Sequence, residues 1–176
     1  MDTSTFGTLL LGVAVLASAV MAGAGLAPLG PKRGIAVSGA AAGAMLVTIA
    51  AAFLHLMRAY AETDLSLMNV YLNSHSLKPM VYKLTGTWGN HEGSLLLWLL
   101  ILAGFGAAMA FLGKGDVKTR KLALGVQGTL AFAFLLFTVL TSSPFEPYPA
   151  DWPPAPDGRG LNPLLQDPGV AIHQPM

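Results

Sequence analysis

Cysteine is absent from all 176 residues, which removes disulfides, thiolate metal sites and thiol chemistry from anything this chain does by itself. Charge is nearly as scarce. Asp, Glu, Lys and Arg make up 11% of the sequence, against roughly a quarter of an ordinary soluble domain, so a water-facing surface could not be covered. The net charge of +1 offers no basic footprint, and no nucleic-acid partner is expected. Period-two alternation is missing, and so few segments could not close a barrel, so membrane-spanning strands are excluded. Metal-ligand spacing is also lacking, with no His-x-x-x-His and no carboxylates paired at helical spacing. No glycine-rich phosphate loop follows a strand and no nucleophile has an evident base, which leaves hydrolase chemistry unsupported.

What the sequence has in quantity is apolar length: 53% of its residues are hydrophobic. Four runs, Phe6–Leu29, Ile35–Met57, His91–Leu112 and Leu122–Thr141, are each long enough to cross a bilayer, which takes about 20 residues. The expected fold is an all-α integral membrane protein with four transmembrane helices, an outward-facing loop and a Pro-rich outward-facing tail. No Lys or Arg precedes the first run, unlike the basic start of a signal peptide, so that run is expected to be a retained helix.

Basic residues set the expected orientation. The short loop 30–34 carries Lys32 and Arg33, and the short loop 113–121 carries Lys114, Lys118, Arg120 and Lys121. Both belong on the cytoplasmic side, which sends the N-terminus, the loop 58–90 and the tail 142–176 outward. Gly39-x-x-x-Gly43 offers the second helix a seat for a neighbour or is a chance pattern in an Ala/Gly-rich run.

The outward loop is too apolar for a solvated linker. Met68, Val70, Leu72, Met80, Val81 and Leu84 predict strand-like or interfacial segments on the membrane surface or against a partner. Tyr60, Tyr71, Tyr82 and Trp88 suit the headgroup zone. The tail holds nine of the twelve prolines, so its stretch from Pro144 to Pro156 should be extended or turning, with a turn at Asp157–Gly160.

Polar residues cluster where the third run begins, in "GTWGNHEGSLLLW" (Gly86–Trp98). One reading is a well-capped helix, with Asn90 at the N-cap, Glu92 in the positive first turn, Ser94 adding a polar contact, and Trp88 and Trp98 near the interface. The other docks a planar ligand against Trp88 with His91 and Glu92 at its edge. Gly89 and Gly93 let another backbone or a ligand come close. His173, near the end of the tail, carries an imidazole suited to axial ligation of haem iron or to a packing role. His55 lies near the outward end of the second helix, as a functional or a solvated group, and His75 in "NSHS" reads as a solvated loop residue.

"TWGNHEGSLLLW" (Thr87–Trp98) and "GRGLNPLLQDPGVAIHQPM" (Gly158–Met176) closely resemble two signatures of the CcmF/CycK/NrfE family, the cytochrome c-type biogenesis proteins regarded as the core haem lyase subunit. "LLGVAVLA" and "YLNSHSLKPMVYKLTG" are similar too, and the resemblance covers nearly the whole chain. It implies a bacterial inner-membrane protein whose periplasmic face handles haem and joins it to the C-x-x-C-H thiols of an apocytochrome c. It implies haem b as cofactor, His173 as an axial ligand, and Trp88, His91 and Glu92 as residues shaping the outward face. Implied partners are the remainder of a CcmF-type protein, a holo haem chaperone, apocytochrome c with its thiol-presenting partner, and the bilayer. Family members continue with a second periplasmic His, a Trp-rich segment and two helix-borne His, none of which occurs here. The expectation is therefore of an N-terminal portion, whether fragment, truncated product or one piece of a split protein, that is a non-autonomous part of the lyase and does not retain haem alone. The alternative is a scaffold subunit that holds maturation partners without ligating haem. A small transporter or channel finds little support, because the helix interiors lack intramembrane Asp, Glu or Lys.

Overall fold

Asp2 opens the first helix, α1 (Thr3–Leu26), by accepting from the Thr5 N–H at 2.6 Å. The computed structural model describes residues 2–160, and among them α-helix is the regular structure throughout. Three further long helices follow: α2 (Pro31–Glu62), α5 (His91–Phe111) and α6 (Val117–Thr141). Two short ones, α3 (Met68–Asn73) and α4 (Met80–Gly86), lie in the connection between α2 and α5. The four long helices are each long and apolar enough to cross a membrane.

The helices overrun the apolar runs because polar residues at their ends are satisfied within the helix. α2 continues past Met57 since Arg58 donates to Glu62 at 2.8 Å, an i,i+4 pair, before Thr63 closes the helix in the left-handed region at φ 53°. α6 starts at Val117 because Asp116 accepts from both the N–H and the hydroxyl of Thr119, drawing Lys118, Arg120 and Lys121 out of the expected loop and into the helix. α1 ends at Leu26, ahead of Ala27-Pro28.

α1 packs between α2 and α6, and α5 closes the bundle against α2 and α6. Packing relies on small residues, as it must where lipid is as apolar as the helix surface. A Cβ on Gly25 would lie 2.3 Å from the Gly125 Cα, so these backbones touch only because both residues are glycine. Gly39 and Gly43 face Ala110 and Phe111 near the end of α5, a seat for a neighbouring helix. Leu9, Leu16, Val47, Leu54, Phe105 and Leu140 are more than half exposed on the outer surface, where acyl chains would solvate them.

The connection 63–90 corrects the strand-like expectation. It folds into α3 and α4, and its one sheet-like feature is an isolated antiparallel bridge between Leu67 and Pro147. Helices of six and seven residues hold less than two turns of 3.6-residue periodicity, so their pattern cannot be told from a strand's. After α6 the chain folds back as a strap. Phe145 is fully buried against Gly7, where a Cβ would fall within 2.2 Å of its ring, and the Met68 N–H donates to the Glu146 carbonyl at 2.9 Å.

Candidate functional site

The start of α5 is built by a closed ring of hydrogen bonds. The Tyr60 hydroxyl donates to Asn69 Oδ1 at 2.6 Å, Asn69 Nδ2 donates to Asn90 Oδ1 at 3.0 Å, and Asn90 Nδ2 donates back to the Tyr60 oxygen at 2.9 Å. Asn90 Oδ1 also accepts from the Gly93 N–H at 2.8 Å, and Nδ2 donates to the Gly86 carbonyl at 2.8 Å. Asn90 is thus both N-cap of α5 and the joint to α2, α3 and α4. Glu92 accepts from Asn69 Nδ2 at 3.2 Å, placing its charge in the first turn of α5, where the helix dipole favours it. Ser94 donates to the His91 carbonyl at 2.9 Å.

Gly93 makes this junction possible. A Cβ there would sit 1.6 Å from the Thr87 carbonyl oxygen, so the turn before α5 lies directly against the helix backbone. The glycine serves approach by another backbone, one of the two uses expected of it.

Tyr60 corrects a sequence expectation. It is fully buried rather than placed among headgroups, because its hydroxyl is consumed inside the ring. Trp88 is half-buried and stacks on Phe53 with ring centroids 6.3 Å apart, so one of its faces is occupied by protein. His91 is exposed. The structure therefore joins Glu92 to the ring but brings neither Trp88 nor His91 into it, and His173 lies outside the described residues. Asn69 and Tyr60 were not singled out as site residues. The only signal for them was that each is a polar side chain in an otherwise apolar stretch.

Two cations lie close by. Lys78 donates to the Asn73 carbonyl at 3.1 Å and Lys83 donates to the Thr63 hydroxyl at 2.6 Å. Both are more than nine-tenths buried. Burial first, and then the like charge of Lys83, push the Lys78 ammonium down to about 8.

The other imidazoles are engaged. His55 Nε2 donates to the Thr3 carbonyl at 3.0 Å, and the ring packs between Phe6 and Phe145. His75 Nε2 lies 3.5 Å from Asp157 Oδ2 and its side chain is 38% exposed, so this loop residue keeps its solvent contact while facing that carboxylate. Among the described residues no group of three or more His, Asp and Glu could hold a metal ion. The cavity lined by His55 has a volume of about 330 Å³ and is edged by Asp2, Arg58, Glu62 and Asp64, a charged rim unsuited to a porphyrin's apolar faces. That cavity does not fit haem.

Four packed apolar helices with a polar junction at one end and a basic rim at the other define a multi-pass membrane protein. Known proteins sharpen that class. No family model matches the chain. It is 50% identical over 170 residues to the cytochrome c-type biogenesis protein CycK of Rhizobium meliloti, covering 93% of this chain and 24% of that one. It is 40% identical over 150 residues to the cytochrome c-type biogenesis protein CcmF of Escherichia coli, covering 84% and 23%. Its fold matches a solved structure titled cytochrome c heme lyase CcmF with a TM-score of 0.75 at 25% identity, covering 86% of this chain and 26% of that one. The chain belongs to the CcmF/CycK/NrfE family of cytochrome c-type biogenesis proteins. It spans about a quarter of the length of the relatives it matches.

Proposed function

We propose that the chain is the N-terminal membrane module of a cytochrome c maturation haem lyase and that His173 offers an axial imidazole to haem iron. The observation that carries this reading is the match to CycK over 93% of the chain at 50% identity. Orientation supports the same side. Lys32, Arg33, Lys114, Lys118, Arg120 and Lys121 all sit at the end of the bundle opposite Asn90. Basic loops stay cytoplasmic, so the Asn90 end and the tail face the periplasm of the bacterial inner membrane. In this reading the ring of Tyr60, Asn69 and Asn90 holds the outward face rigid, while remaining ligands come from the rest of a CcmF-type protein. A holo haem chaperone delivers haem b, and apocytochrome c with its thiol-presenting partner receives it. The module provides orientation and ligation and leaves bond formation to the cofactor and thiols.

A second reading, a scaffold that holds partners without ligating haem, is favoured by one observation. Each described imidazole is either tied to protein or exposed, and none opens into a cavity fit for haem. One experiment separates the two. The chain, unaltered or as His173→Ala, is co-expressed with a separately encoded remainder of the family protein in a strain lacking CcmF, and covalent haem on a c-type cytochrome is assayed. Rescue by the unaltered chain and loss with His173→Ala at equal protein level supports ligation. Equal rescue by both establishes the scaffold.

A further inference from the structure

The segment Asp157–Gly160 is bound to the turn that ends α3 through both side chain and backbone. Asp157 accepts from the Ser76 N–H at 3.0 Å and from the Ser76 hydroxyl. His75 Nε2 stands 3.5 Å from the same carboxylate. The Arg159 N–H donates to the Tyr71 carbonyl at 2.7 Å and the Gly160 N–H to the Ser74 carbonyl at 2.9 Å. The Arg159 guanidinium lies 5.4 Å from the centre of the Tyr71 ring, within cation–π range. Two glycines are obligatory here. A Cβ on Gly158 would fall 2.1 Å from the Ser74 carbonyl oxygen, and Gly160 adopts φ +80°, a left-handed conformation that favours glycine.

α3 is thereby held from two sides. Its Asn69 belongs to the ring at the start of α5, and its last turn receives the segment 157–160. Upstream the strap is tied again, by the Tyr148 N–H donating to the Ser66 carbonyl at 2.8 Å. With the segment 157–160 released, the tie at Tyr148 remains, and His173 lies 25 positions beyond it, a reach of up to about 85 Å. From an anchored Gly160 there are 13, a reach of up to about 45 Å.

We propose that Asp157, Gly158 and Ser76 form a latch that anchors the tail on α3, making Asp157 and Gly158 positioning residues for the imidazole of His173. The positioning half rests on the proposed ligand role of His173, whereas the latch itself does not. The gain is one of effective concentration, since a shorter tether confines its end to a smaller volume. The Asp157 carboxyl is held down at about 2, first by the Ser76 hydroxyl and then by the Ser76 N–H, so the latch stays charged throughout the neutral range.

The chain supplies its own probe. Arg159 is the one Lys or Arg after Lys121, so tryptic release of the peptide 160–176 reports opening at the latch. Proteolysis requires backbone freed from its hydrogen bonds. In detergent-solubilised chain, Asp157→Ala and Gly158→Val are expected to release that peptide roughly tenfold faster than the unaltered chain, with Asp157→Asn in between. Equal release by all four overturns the latch. In the co-expression assay, Asp157→Ala is expected to lower covalent haem attachment several-fold at equal protein level. Fast release with full attachment overturns the positioning role. If His173→Ala also matures cytochrome normally, the ligand reading falls while the proteolysis result still decides the latch.

Discussion

At the basic end of the bundle, helices are joined by cations reaching backbone carbonyls; at the Asn90 end, a ring of neutral amides and a hydroxyl joins α2, α3 and α5, with Lys78 and Lys83 bonded beside it. Arg120 donates to the Met109 and Ala110 carbonyls at the close of α5, and Lys121 donates to the Ala27 and Leu29 carbonyls just after α1. Both are favourable at the negative ends of helix dipoles. The same residues that mark this end by charge therefore also cap it, while Lys32, Arg33, Lys114 and Lys118 remain exposed. In the ring at the Asn90 end the donors are neutral, and the nearby Lys78 and Lys83 bond outside it. Both polar side-chain atoms of Asn90 are used, and each bond depends on the next. One end should tolerate single losses, and the other should not.

The sharpest test of that contrast is Gly93→Ala. The added carbon meets the Thr87 carbonyl oxygen, backbone that cannot swing aside, and the expected cost is about 3 kcal/mol or more, read as lost accumulation and a lowered unfolding midpoint in detergent. Tyr60→Phe comes next. It removes the hydroxyl that closes the ring and leaves Asn69 Oδ1 short of its donor, for about 1–3 kcal/mol. Combined with Asn90→Ala, the two costs should fall short of additive, because both break one ring. At the basic end Lys121→Met should cost less, about 1–2 kcal/mol, since its methylene stem still packs on Gly34. An equal or greater loss there would reverse the contrast.

A smaller effect concerns pH. Lys78 sits at about 8 in the folded chain and near 10.4 when unfolded. Between those values the unfolded state binds more protons, so stability should rise with pH from about 8 to about 10.5. Lys78→Met should flatten that rise in thermal unfolding followed across the window. Smallest of all is Gly12→Ala, where a Cβ meets nothing within 4 Å; a shift within ~0.5 kcal/mol is expected, and a larger one would mean this face is not free.

How far the molecule could be read beforehand follows from the range of each interaction. Asn90 as a cap and Glu92 in the first turn were legible, because a cap and its helix are neighbours in sequence. Tyr60 was not, because a tyrosine near a span end looks the same whether it meets headgroups or Asn69. That His75 also faces Asp157 was not legible, because the two lie 82 residues apart. The strap over α3 left no periodic trace at all.

Apolar length, the scarcity of charge and the placement of Lys and Arg are properties of the chain alone. They determined an all-helical membrane fold, its four spans and which end carries the cations. Tertiary structure decided which glycines touch backbone, that Tyr60 turns inward, and that Asp157 meets Ser76. The physical reason is that burial in lipid depends on composition summed over some twenty residues, whereas a hydrogen bond depends on two atoms coming within about 3 Å, and folding alone brings distant residues that close.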